Sequence, residues 1–295
     1  MQLDLFADSR DVLLRNDAVV ALRSHDAAAV RKAWDKLHVE YPDDRLLAPM
    51  AVLLEALNTS FKNLNSVEAA NEALALMEKY AAAAGKIFDP ELANLWLVPL
   101  WRSIAEGVSR MPFSVERPLL HRAAMLLRAH DWEAAEVAIV SIAAWRRIPQ
   151  TLVWMIEARR VQSGLSAAWP LLVELAWLAP ARFRALVQSL HAPVLIKLLR
   201  QFDSEYEADL NTNDPTDAVN DSVWFPAWVL LVEPSLTPLL RQVEATRGLP
   251  PERAFQLVLQ LLDCERQGRQ ASLVDLRKKL RDLNRAIFNC YMKTR

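Results

Sequence analysis

Apolar residues recur at three- and four-residue spacing from about Ser9 to the C-terminus, and polar residues fill the intervening positions. No segment shows the two-residue alternation of a half-buried strand. The breaks between periodic segments are short and carry helix signals. Asp89 reads as an N-cap with Pro90 at the first helical position, Gly85 as a stop after "EKYAAAA", and Ser114 as a start before "VERPLLHRAAMLLRAH". The pattern predicts an all-α chain of about fourteen to sixteen helices, each near the usual length of about eleven or twelve residues.

An internal repeat organises these helices. "LRSHDAAAVRKA" (22–33) aligns without a gap on "LRAHDWEAAEVA" (127–138), sharing Leu, Arg, His, Asp and two Ala at an offset of 105 residues. That offset is about three periods of a 34-residue unit. "QSGLSAAWPLLVELAWLAP" (162–180) repeats the tight turn and the Ala-rich second helix, and Pro180 follows Gly164 at the distance that Pro42 follows Asp26. A fourth copy is "RQGRQASLVDLRKKLRDL" (266–283), with Gly268 in the turn.

Small residues (Ala29, Ala135, Ala168) sit where paired helices would approach closely, and a proline closes the unit. In this the chain resembles the tetratricopeptide-type helical repeats. The resemblance is degenerate: the family's aromatic and glycine signature in the first helix is missing, and Ala18 and Ala123 keep only the small residue. It implies a right-handed α-solenoid of antiparallel helix pairs that binds proteins or peptides on a concave face. The expected organisation is an extended segment over 1–7, a helical-repeat solenoid over 8–210, an acidic loop over 211–222, and C-terminal helical repeats or a cap over 223–295. "FDSEYEADLNTNDPTDAVNDSV" (202–223) carries seven acidic residues and neither Lys nor Arg, which reads as a long loop after a short helix. The final helix reads as basic (Arg277, Lys278, Lys279, Arg281, Arg285), a solvated face suited to a terminal repeat.

Composition narrows the function classes. With 53% hydrophobic residues in 295, the chain has material for a large core, while five glycines argue against hairpin folds and leave no phosphate-cradling glycine loop. A net charge of -1 gives no global electrostatic footprint for direct contact with nucleic acid or an anionic membrane. Cys264 and Cys290 are too few for a disulfide scaffold or a CxxC-type metal site. Asp4 and Asp8 stand where a signal peptide is basic, and the apolar stretches 165–181 and 222–232 are short or broken by Pro170 and Glu174. The expectation is a soluble cytoplasmic protein.

Chemistry is sparse. Asp209, Asn211 and Asn213 follow the spacing of a calcium loop, but Asp214 replaces its turn glycine and Asn220 its bidentate glutamate, so no metal is expected. His25, His38, His121, His130 and His191 make no helical metal spacing, and His25 and His130 fall in equivalent repeat turns, where a structural role accounts for both. No catalytic residue and no cofactor are expected, and the reading is non-enzymatic. The ten tryptophans, among them Trp96 with Trp101 and Trp224 with Trp228, read first as helix-packing core and second as a groove lining.

One stretch carries a specific resemblance. "QLDLF" (2–6) is similar at every position to the bacterial sliding-clamp-binding pentapeptide, a pattern that chance would produce in a chain this long on the order of once per thousand proteins. The resemblance implies that the segment docks as an extended peptide in a hydrophobic pocket of the bacterial DNA sliding clamp. Gln2 would hydrogen-bond at the polar edge, Leu3 would cover the rim, Leu5 and Phe6 would fill the deep part, and Asp4 would stay solvated. The expected function is an adaptor that joins the clamp to a second, unknown protein or peptide in replication or repair. The alternative is a general scaffold whose Leu5 and Phe6 staple its own first helix near Val12 or Leu13.

Overall fold

The computed structural model describes residues 9–206, 221–244 and 248–295. The described residues form sixteen α-helices and no strand, as the periodicity predicts. The chain divides into two compact units, Met1–Ala138 and Ile139–Arg295.

The first unit holds α1 (Arg10–Arg23), α2 (Ala27–Glu40), α3 (Leu47–Asn58), α4 (Val67–Ile87), α5 (Pro90–Gly107) and α6 (Arg122–Arg128), and α7 (Trp132–Val140) begins in it. From α1 to α6 each helix packs against its neighbour in the chain. Leu14, Leu37 and Leu47 form one core cluster, with Trp34 laid against it. Trp34 Nε1 donates to the Leu47 carbonyl at 3.0 Å, and Trp96 Nε1 on α5 donates to the Leu22 carbonyl at 2.8 Å. The second bond ties the end of α1 to a helix 74 residues further along the chain.

Gly107 marks a close approach that its lack of a side chain permits. Leu64 N–H donates to its carbonyl at 3.1 Å, and a Cβ placed there would lie 2.0 Å from the Phe61 carbonyl oxygen.

The repeat turns are chemically alike. His25 (φ 53°) and His130 (φ 55°) both adopt the left-handed conformation that ends a helix, and Gly164 (φ 80°) and Gly268 (φ 68°) hold positive φ in the other two aligned turns. His25 N–H donates to the Leu22 carbonyl at 3.2 Å and His130 N–H to that of Leu127 at 3.1 Å. Each is followed by an aspartate that caps the next helix: Asp26 accepts from the Ala28 and Ala29 amides, and Asp131 from that of Ala134. His191 (φ 48°) makes a further turn of this kind that the alignment does not contain. Ala135 and Ala168 are fully buried, whereas Ala29 is half-buried and Val30 and Ala33 make the contact of α2 instead.

Three sequence signals need correction. α4 runs through Gly85 to Ile87, because one glycine's cost of about 1 kcal/mol is outweighed by the alanine-rich run around it. Ser114 does not start a helix. Pro118 biases Arg117 out of the helical region (φ -133°, ψ 56°), and α6 begins only after His121, whose Nδ1 accepts from the Ala123 amide at 3.2 Å. The basic C-terminal segment is two helices rather than one, separated at Asn284, which caps the second by accepting from the Ile287 amide at 2.8 Å. The expected cap at Asp89, with Pro90 after it, is present.

The second unit continues with α8 (Pro149–Ser163), α9 (Leu165–Leu178), α10 (Pro180–Ser189) and α11 (Pro193–Glu205). Beyond the acidic stretch come α12 (Phe225–Val232), α13 (Thr237–Leu240), α14 (Pro250–Arg266), α15 (Gln270–Leu283) and α16 (Arg285–Lys293). α9 is buried on all sides from Ala168 to Trp177 and packs against α8, α10, α12 and α13. α12 is buried over Phe225–Leu231 and packs against α9, α11, α14 and α16, so the two apolar stretches of the sequence are core helices of this unit. No single helix among the described residues is long and apolar enough to cross a membrane.

Candidate functional site

Gln2, Leu3, Asp4, Leu5 and Phe6 lie outside the described residues, as do Asp209, Asn211, Asn213, Asp214 and Asn220 of the acidic stretch. What the structure describes is the attachment point of the N-terminal segment. α1 starts after Ser9, and its first turns are pinned to the far end of α2. Arg10 forks onto the Glu40 carboxylate at 2.9 and 2.7 Å. Arg15 bridges Asp11 at 3.0 Å and Asp44 at 2.7 Å, and Asp44, its side chain buried, also accepts from the Leu46 amide at 2.8 Å. The Arg10 hydrogen bond holds the Glu40 carboxyl below its ordinary range, and the Ser9 hydroxyl does the same for Asp11. The helix that follows the motif is therefore fixed at its base by charge pairs, while Leu13 on it is 44% exposed.

The second unit contains a buried acid that stands in the sequence only as a break in an apolar run. Glu174, on α9, is 5% exposed. Its Oε1 accepts from the Glu244 amide at 3.1 Å. Arg146 Nε stands 3.2 Å from Oε2, but the two are not aligned for a hydrogen bond, and Arg146 also pairs with the Glu244 carboxylate. Burial pushes the Glu174 carboxyl up to about 7 against the opposing pull of Arg146 and Arg159. Glu252, 2% exposed, accepts from the Gly248 amide at 2.7 Å and lines the same small enclosed space with Trp177. A lone carboxylate inside "LLVELAW" is the signal that could have found this group. The space is too small for a substrate, and what the arrangement offers chemically is a proton held near neutral pH.

The remaining candidates are structural. His25 stacks on Trp96 with ring centroids 4.9 Å apart, and its Nε2 lies 2.9 Å from the Trp96 carbonyl oxygen. Trp96, Trp154, Trp169, Trp177 and Trp228 are buried and the other five tryptophans half-buried, which places them in packing rather than along one open groove. Among the described residues no three His, Cys, Asp or Glu side chains are grouped to hold a metal ion. No known family, curated protein or solved structure matches the chain.

Proposed function

We propose that the chain is a non-enzymatic adaptor that docks on the bacterial DNA sliding clamp through Gln2–Phe6 and presents a second protein or peptide on its helical body. The observation that carries the reading is the complete "QLDLF" pattern three residues ahead of α1. The right-handed solenoid of tetratricopeptide type belongs to the same proposal. It is supported by the consecutive packing of α1 to α6 and by the four aligned turns with positive φ. The position of the α1 cap supports a docking segment over a staple. With Ser9 as N-cap, the residue that a hydrophobic staple needs at the preceding position is Asp8, which is polar.

Burial of Leu3, Leu5 and Phe6 returns roughly 1.5–3 kcal/mol each before association costs, at most about 9 kcal/mol in all, so the complex is weak, micromolar at its tightest. Titration of purified clamp with the wild-type chain and with Leu5→Ala/Phe6→Ala tests this. The expected result is micromolar binding that the double variant loses while its melting temperature stays within about a degree of wild type. Absence of wild-type binding, together with a lowered melting temperature in the variant, would establish the staple and the general scaffold instead.

A further inference from the structure

The C-terminal unit carries a groove of about 840 Å³ between the 234–241 segment, the end of α14 and the start of α15. Leu262 and Leu273 form an apolar lining, and four guanidinium groups, Arg241, Arg266, Arg277 and Arg295, stand around it. Two carboxylates share them. Asp263 pairs with Arg241 and, at 3.1 Å, with Arg266. Glu265 pairs with Arg295 at 2.7 Å and Arg277 at 3.6 Å, and it accepts the Tyr291 hydroxyl proton.

The second cluster is rigidly built. Arg277 Nε donates to the Tyr291 oxygen at 2.9 Å, and the guanidinium carbons of Arg277 and Arg295 lie 5.4 and 5.5 Å from the Tyr291 ring centroid, a cation–π arrangement with a fully buried tyrosine. Four guanidinium side chains against two carboxylate side chains give the lining a side-chain excess of two, one in each cluster.

That distribution selects the ligand. A single phosphate needs guanidinium groups converging on one point, whereas here each cluster has committed one carboxylate between two arginines and keeps one net side-chain charge. The volume is in the range of about 300–1,000 Å³ that holds a drug-sized ligand, well beyond one oxyanion. Arginine's planar fork suits carboxylates, and the leucines suit an apolar side chain between them. We infer that this groove binds an extended acidic peptide in which two carboxylate side chains flank an apolar residue. The inference rests on the C-terminal unit alone and stands whether or not Gln2–Phe6 engages a clamp.

Fluorescence polarisation with a fluorescein-labelled hexapeptide of alternating glutamate and leucine, and with its glutamine–leucine counterpart, tests it on the full chain. The expected result is saturable binding of the glutamate peptide, weakening as salt is raised and at least roughly tenfold tighter than that of the glutamine peptide. Arg241→Gln/Arg266→Gln and, separately, Arg295→Gln should each weaken it by roughly tenfold while the helical melting curve is unchanged. Equal affinity for the two peptides, unchanged affinity in variants that melt like wild type, or displacement of the peptide by millimolar inorganic phosphate would each overturn the assignment. The last would make the groove an oxyanion site.

Discussion

In the N-terminal unit the indole N–H groups of Trp34 and Trp96 both donate to backbone carbonyls. In the C-terminal unit those of Trp177 and Trp228 are buried with no hydrogen-bond partner among the described residues. The buried charged and polar side chains divide the same way. Among the described residues, the polar and charged ones buried as whole residues are His121 in the N-terminal unit and Thr151, Glu174, Ser222 and Glu252 in the C-terminal unit, while the buried Asp44 side chain of the first unit is paired with Arg15. An unsatisfied buried polar group costs about 1–3 kcal/mol. The first unit therefore has little polar strain in its core, and its weak points are steric. The second unit has an electrostatically unfinished core, with α9 carrying a carboxylate through its apolar middle.

The largest expected effect tests the steric side of this contrast. Gly107→Ala puts a methyl group well inside van der Waals contact of the Phe61 backbone oxygen, in a loop that the Leu64 N–H ties to the Gly107 carbonyl. Neither partner is the end of a flexible side chain, so the α3–α4 connection or α5 must move, at a cost of about 3 kcal/mol. Denaturant unfolding followed by hydrogen exchange should place the loss in residues 9–138. A variant as stable as wild type would show that the approach at Gly107 is loose.

The second expected effect tests the electrostatic side. Glu174 titrates near 7 in the fold and near 4.5 when unfolded, so the folded state binds the extra proton between those values. Its contribution is complete below pH 4.5 and is lost as pH rises through 7. Glu174→Gln, which keeps the acceptor for the Glu244 amide, should stabilise the protein at pH 8.5 by up to roughly 3 kcal/mol and change little at pH 4.5. Calorimetric scans of both proteins at the two pH values decide it, and a pH-independent difference would mean that Glu174 is ionised throughout.

The same contrast explains what the sequence made legible. The His25 and His130 turns were readable because a Leu–Arg–x–His–Asp block occurs twice, and two such copies imply one local geometry. The His191 turn has the same φ, but its neighbours are Leu190 and Ala192, so no pattern marks it. Helix type and number followed from periodicity, which depends on one face per helix. The close approach at Gly107 depends on where the residue-61 carbonyl lands, and nothing adjacent in the chain encodes that. The groove arginines are spread from 241 to 295 among ordinary surface charges and converge only through the packing of α14, α15 and α16. Serine ranks among the preferred N-caps and histidine does not, so the sequence pattern points to Ser114 where the cap is His121.

His121 gives the smallest effect and the sharpest comparison, because its sign is opposite to that of Glu174. Its Nδ1 must be unprotonated to accept from the Ala123 amide, and burial, with Arg122 beside it, lowers its affinity for a proton below the ordinary histidine value of 6.5. A depressed histidine contributes stability above its unfolded pKa, and that stability is lost as pH falls from 6.5 through the lower folded value. Protonation also removes the cap, worth about 1 kcal/mol. Between pH 6.5 and 5, then, acidification should weaken the N-terminal unit through His121 while it strengthens the C-terminal unit through Glu174. His121→Asn keeps a side-chain oxygen for the Ala123 amide and does not titrate, so it should flatten the acid limb of the N-terminal unit alone. Hydrogen-exchange protection of α6 measured at pH 6.8 and 5.2 in wild type and variant reads this out. Equal loss of protection in both would assign the acid sensitivity of α6 to some group other than its cap.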